Sequence, residues 1–419
     1  MGHKIAHMWL ALDTLHPTTR RLLASRAVRS VAQGALITDL SLYLHALHWS
    51  GLKIGLTLTA GGLMAATLSV LIGVVSDRFK RKPFLLYNEG LTMICGLAPL
   101  LSANAAVLAA AVIIAGFGRG TNGSAGPFSP AEQAWLAEAV PPNKRGWIYS
   151  LNTALGFFGM TLGALFAILP AFWVDSLGPR LAYSPIFVIV ILGGGVNFWL
   201  LGGARELRAT PVMRRVVPAA TSTQTRRFEN HILWRLFQLN SLNGLSIGLT
   251  GTLIAYWFAL KFHIGPGDIA PMLAVSFLLA GIASIFAGRF TMQHGLVTSV
   301  LWSRGIGVVL LALLPLMPWL WLAAVIYMLR LASSGASVGA RQAQVVSLVR
   351  DERRGLAVSI NAASFQVPQS IGPGIAGPMI AAGMYLTPFY TAALLQLLYV
   401  VGYGRVFRRY EHASGTGGK

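Results

Sequence analysis

Twelve long apolar stretches, separated by short charged or Pro/Gly-containing breaks, dominate the chain and leave it few ways to fold. They fall near 27–49, 53–75, 83–103, 107–138, 146–170, 182–204, 231–260, 268–288, 296–314, 319–347, 355–382 and 387–407. A helix that crosses a bilayer needs about 20 apolar residues, which these stretches supply. The strands of a membrane barrel would instead alternate over about ten residues. Only 11% of the chain is charged and 55% is hydrophobic, against roughly 25% charged residues in a soluble domain. An ordinary soluble enzyme and a disordered chain are thereby excluded.

The formal charge of +20 could point to nucleic acid, but the placement of the basic residues points elsewhere. With twelve spans both termini lie on one side. That side receives 24 of the 33 Lys and Arg residues, and the other receives Lys53, Arg180 and Lys261. Positive charge accumulates in the cytoplasmic loops of membrane proteins, so both termini are expected in the cytoplasm and no nucleic-acid partner is needed. The first 26 residues lack the form of a signal peptide, since the apolar run Met8–Leu12 is short and Asp13 interrupts it. A single cysteine, Cys95, rules out an internal disulfide framework.

The chain repeats itself. Residues 131–152 align without gaps on 340–361, an offset of 209, with eight identities in 22 positions that include Gln133/Gln342, Arg145/Arg354, Gly146/Gly355 and Asn152/Asn361. Half the chain length thus separates two copies of a six-span unit. The expected organisation is a cytoplasmic N-terminal segment (1–26), a six-helix bundle (27–204), a cytoplasmic linker (205–230), a second six-helix bundle (231–407) and a cytoplasmic tail (408–419). The linker carries Pro211, Pro218 and six arginines, as suits a solvated segment on an anionic inner leaflet.

Between the second and third spans stands Gly73-Val74-Val75-Ser76-Asp77-Arg78-Phe79-Lys80-Arg81-Lys82-Pro83. It resembles the loop motif of the major facilitator superfamily (MFS), Gly-x-x-x-Asp-Arg-x-Gly-Arg-Arg/Lys, at Gly73, Asp77, Arg78, Arg81 and Lys82, with Lys80 in place of the glycine. The resemblance extends to the span count, the half-length repeat and essentially the whole chain. It implies an all-α integral membrane protein of 12 transmembrane helices, arranged as two pseudo-symmetric six-helix bundles. It also implies secondary transport of a small-molecule substrate, and a latch made by Asp77 with Glu138 and Arg145 as charge partners. Gly288 replaces Asp77 in the second half, so the latch is expected on one side only.

An ionisable side chain near the bilayer centre costs about 2.5–3.5 kcal/mol on insertion scales, and is therefore a functional candidate. Asp39 lies mid-span and reads as a protonatable site, as a counter-ion to a buried arginine, or as a structural carboxylate satisfied by a neighbouring helix. Arg119 stands in Gly116-Phe117-Gly118-Arg119-Gly120 and resembles the superfamily's fourth-helix arginine motif. Arg330 lies in the tenth span, 211 residues on. If the fold of the family holds, the two arginines approach a central cavity from opposite halves, and a guanidinium fork suits carboxylate or phosphate. Glu132 and Arg341 occupy equivalent repeat positions with opposite charge. They read either as a gate between halves or as two solvated helix-end charges. Arg304 is expected at the periphery, and Tyr43, Trp199, Tyr256, Trp257 and Tyr327 could line a pocket.

No glycine loop followed by Lys-Ser/Thr is present for ATP, and no His/Cys metal set or nucleophile–base pair marks an enzyme. No cofactor is expected. The reading is a non-enzymatic secondary active transporter, proton-coupled and working by alternating access on a small organic solute, anionic or amphipathic. Its partners are protons and membrane lipids, its form a monomer, and its location a prokaryotic inner membrane. Multidrug or metabolite efflux by proton antiport is the alternative, and a transport-dead sensor that kept the fold is a third.

Overall fold

The computed structural model describes residues 15–75, 81–118, 120, 129–140, 145–206, 223–347 and 354–415. Their helices follow the apolar stretches closely. In the first half they are α1 (Pro17–Ala46), α2 (Gly51–Val75), α3 (Arg81–Leu101), α4 (Ala105–Ala115), α5 (Ser129–Glu138), α6 (Arg145–Phe166), α7 (Val174–Ala182) and α8 (Ser184–Gly202). In the second half they are α9 (Thr223–Thr250), α10 (Ile254–Phe262), α11 (Pro266–His294), α12 (Leu296–Leu313), α13 (Leu320–Ser347), α14 (Arg354–Ala381) and α15 (Thr387–Gly415). Seven spans among the described residues are long and apolar enough to cross a membrane, or eight if the pair α9 and α10, bent by 41°, is one span. The protein is an integral membrane protein.

Local chemistry sets the boundaries. Pro17 occupies the first turn of α1, where its missing N–H is not needed, and the His16 ring accepts from Thr18 N at 3.2 Å. Asn104 caps α4 by accepting from Ala106 N at 2.8 Å, and Gly116 ends it in the left-handed region at φ 64°. The helix α1 starts at Pro17, within the segment 1–26 that its charges assign to solvent. Arg26 is only 1% exposed, because its guanidinium lies against Gly156 of α6, where no Cβ stands in the way.

The repeat is visible in the packing. The helix α1 runs along α6 and α8, and its counterpart α9 runs along α14 and α15; α3 packs on α8 as α12 packs on α15. Glycine makes the tightest of these contacts possible. A Cβ on Gly163 would meet the carbonyl of Val31, and one on its repeat equivalent Gly372 would meet the backbone of Gly248 and Leu249. Gly163 and Gly372 therefore join helices within each half, while Gly374 and Gly377 of α14 meet Thr59 and Gly51 of α2 between the halves.

The halves meet through α2 against α14 and α6 against α11, with α1 touching α10 and α11. Gly374 N donates to Thr59 Oγ1 at 2.8 Å across the first interface. At the face away from the termini, His45 and Tyr256 stack edge to face with ring centres 5.2 Å apart. There Trp257 Nε1 also donates to Tyr385 O at 3.1 Å. Towards the face that carries the termini, α5 packs on α1, α2 and α3 of its own half, and α13 on α11, α12 and α14.

Candidate functional site

The charged groups of the first half gather between α1, α3, α5 and α8. Arg29 of α1 donates through Nε to Glu89 Oε1 of α3 at 2.8 Å, and its Nη2 lies 2.7 Å from the same oxygen. Its Nη1 donates to Glu132 Oε2 of α5. Asn197 of α8 donates to the second Glu89 oxygen at 3.3 Å. Glu89 and Glu132 are each 2% exposed, and Arg26 lies within electrostatic reach of Glu132 and Arg29. Two arginines and two carboxylates thus meet in one apolar bundle. A planar guanidinium can serve two acceptors at once, which an ammonium group could not do in the same plane.

Glu132 is therefore neither a solvated helix end nor in contact with Arg341. Arg341 lies over the Phe365 ring at 5.2 Å, in the other half. Glu89 and Asn197 were not singled out by the sequence reading, although a carboxylate as the seventh residue of the apolar stretch 83–103 is the signal that would have found Glu89.

Asp39 stands apart from this cluster. It is fully buried, and neither carboxyl oxygen has a hydrogen-bond partner among the described residues. Tyr183 of α8 lies within electrostatic reach. Arg119, the arginine expected to answer it, lies outside the described residues, as do Asp77 and Arg78. Gly73 ends in α2, Glu138 in α5 and Arg145 in α6.

The rest of the loop motif has a defined partner. Glu206, just beyond α8, accepts from the backbone N–H of Arg81 at 2.7 Å and of Lys82 at 3.4 Å. A carboxylate at a helix N-terminus satisfies free N–H groups and meets the positive end of the helix dipole. Lys82 Nζ in turn donates to Gly202 O at 2.5 Å and Ala204 O at 3.1 Å. The start of α3 and the end of α8 are tied together by this exchange.

In the second half, Arg330 of α13 is 8% exposed. It donates through Nη2 to Thr250 Oγ1 at 3.1 Å, at the break between α9 and α10. Arg304, expected at the periphery, is 2% exposed. The helix α12 is peripheral, but this side chain points inward towards Arg341, Tyr399 and Arg330. The aromatic residues mostly pack rather than line a pocket. Tyr43 sits against Tyr183 and Phe187, Trp257 stacks on Phe389 with ring centres 4.5 Å apart, and Trp199 is 73% exposed on the outside of the bundle.

Helices paired by the same rule in each half and a basic loop motif after the second apolar stretch fit a transporter architecture. The family model of the Major Facilitator Superfamily matches residues 22–242 and again 236–418. The chain belongs to that superfamily. It is 23% identical over 299 residues to the uncharacterized membrane protein YJR124C of Saccharomyces cerevisiae, covering 63% of this chain and 65% of that protein. It is 28% identical over 188 residues to the multidrug resistance protein MdtH of Yersinia enterocolitica, covering 45% of this chain and 44% of that one. The chain thus spans less than two thirds of the length of the curated relatives it matches. Its fold is similar to that of a D-xylose-proton symporter, with a TM-score of 0.70 at 15% identity over 92% of this chain and 96% of the symporter.

Proposed function

We propose that this protein is a proton-coupled secondary transporter that moves a small organic solute, anionic or amphipathic, by alternating access. The observation that carries the reading is the pairing of two lone ionisable groups at mid-span: Asp39 on α1, buried with no partner among the described residues, and Arg330 on α13, held at the helix break by Thr250. Helices of the two repeats that bracket one central axis each bring one such group, at an insertion cost that structure alone does not require. Arg119 takes the role in the first half that Arg330 takes in the second. Asp39 carries the proton, and the arginines bind the anionic part of the solute.

In this reading the bundles 27–204 and 231–407 rock about the solute, joined by the linker 205–230. The packing of α1 on α10 at the face away from the termini supports a state sealed on that side. The loop of Gly73, Asp77, Arg78, Arg81 and Lys82, with Glu138 and Arg145, latches the opposite state. Glu132 and Arg341 are the oppositely charged pair that approaches when the termini face closes. The excess of basic residues supports cytoplasmic termini, the compact loops support a prokaryotic inner membrane, and one chain contains both bundles that such a monomer needs.

The test is solute flux in proteoliposomes of the purified protein across an imposed pH gradient, with organic anions, lipophilic cations and neutral metabolites in parallel. Anion flux that follows the gradient and is lost in Arg330→Ala, with folded protein retained, is the expected result. Flux of lipophilic cations alone would favour the second reading, multidrug efflux, which the similarity to MdtH supports. Unchanged anion flux in Arg330→Ala would remove that arginine from the solute path.

A further inference from the structure

The two halves balance their buried charge differently. In the first half Arg26 and Arg29 are answered by Glu89 and Glu132. In the second half the corresponding region holds Arg304 and Arg341 beside the phenol of Tyr399. The acids of this half with described side chains are Glu229, near the start of α9, and Asp268, in the first turn of α11. Neither lines the cavity there, which is bounded by Leu236, Asn240, Arg341, Gln344, Asn361, Tyr399 and Tyr403.

Arg304 and Arg341 cannot escape by losing a proton, because a guanidinium stays charged in proteins. Two cations within reach of each other in an apolar bundle, with no carboxylate lining the cavity beside them among the described residues, are unfavourable. The donors are also left over. Arg304 Nε and Arg341 Nη1 are buried with no hydrogen-bond partner among the described residues, and Arg304 as a whole is 2% exposed. The adjoining cavity is small, with room for about one water-sized guest. Asn240 donates to Asn361 Oδ1 at 2.8 Å, and these two amides share the cavity lining with Gln344, Arg341 and Tyr399.

We propose that the second half binds a resident small inorganic anion of the halide class between Arg341 and the Tyr399 hydroxyl, within the field of Arg304. The anion supplies the negative charge that Glu89 and Glu132 supply in the first half. The Arg341 guanidinium and the Tyr399 O–H line the cavity that receives it, Arg304 acts from within electrostatic reach, and a small cavity suits a monatomic ion better than a phosphate ester. The site lies inside one bundle, so the proposal does not depend on which solute the protein transports.

The experiment uses the purified full-length protein in detergent, exchanged into gluconate at constant ionic strength and titrated with chloride. A ligand bound by the folded state alone raises the melting temperature by mass action. Chloride should raise Tm by at least ~2 °C at saturation, and equilibrium dialysis with radioactive chloride should find one ion per chain. Tyr399→Phe keeps both charges and removes one donor; it should fold and bind chloride about tenfold more weakly, a factor worth about 1.4 kcal/mol. Arg304→Gln should lose the chloride-dependent shift. Equal Tm in gluconate and chloride, chloride binding unaltered in both variants, or a shift produced by organic anions but by no halide would each overturn the proposal.

Discussion

Arg29 and Glu89 form a buried ion pair between the first and third helices, Nη2 to Oε1 at 2.7 Å, and the same guanidinium also holds Glu132 on the fifth. A single side chain therefore fastens three helices of the first bundle. Removing one partner from such a pair leaves a charge buried without compensation, which costs about 3–5 kcal/mol. Arg29→Ala, which strands two carboxylates side by side, should lower the unfolding free energy by that amount. Guanidinium or thermal unfolding in detergent checks it, and a variant as stable as the parent would show that the cluster contributes nothing to holding the bundle together.

Asp39 has no partner to strand. Asp39→Asn replaces one buried polar group by another of the same shape, so Tm should move by no more than a few degrees. Solute flux driven by a pH gradient should nevertheless fall at least about tenfold, the size of a ~1.4 kcal/mol effect. Counterflow of unlabelled against labelled solute, which needs no net proton movement, should survive. Gradient-driven flux at the parental rate would take the proton off Asp39.

The glycines at the tight helix contacts make a steric prediction that distinguishes them from the others. Gly163→Val and Gly372→Val push a branched side chain into the facing backbone, at Val31 in one half and Gly248 in the other. Overpacking of this kind costs about 1–3 kcal/mol or more. Gly90→Ala, where a Cβ would meet nothing within 4 Å, should be neutral or stabilising by about 0.5–1 kcal/mol. Thermal stability of the three variants, followed by fluorescence-detected size exclusion, separates the cases.

Glu206 caps the third helix from just beyond the eighth. Glu206→Ala should cost about 1 kcal/mol, in the range of a lost N-terminal cap. Glu206→Gln, which keeps an acceptor but loses the charge, should cost less. A drop in Tm that is equal for the two variants would mean the charge is immaterial.

Hydropathy alone made the helices legible, because the bilayer demands apolar length and tolerates few charges within it. The ungapped 131–152 repeat pointed to two copies of one unit, and the packing repeats with it, α1 on α6 as α9 on α14. Where the reading fell short, the reason is geometric. Charge ends a span in a one-dimensional scan, so α1 was expected from residue 27 although it starts at Pro17. Whether an arginine faces water or a partner depends on what another helix offers, here Gly156 for Arg26 and Glu89 for Arg29. Arg304 shows the same limit, since a peripheral helix still has an inward face. Glu89 needed no structure to be noticed, only the rule that a mid-span carboxylate always has something to do.

The break between the ninth and tenth helices has a mechanical consequence. The ninth helix is joined along much of its length to the fourteenth and fifteenth, whereas the tenth carries the His45–Tyr256 contact that seals the far face. The break at Gly251–Leu253 interrupts the helical hydrogen bonding between the two, so the tenth helix is held by its own buried contacts rather than by continuity with the ninth. If the two bundles rock as proposed, opening of that face must part the His45–Tyr256 contact together with the glycine-lined seams between the halves, while the Trp257–Tyr385 and Lys261–Pro315 hydrogen bonds hold this short helix to its own half.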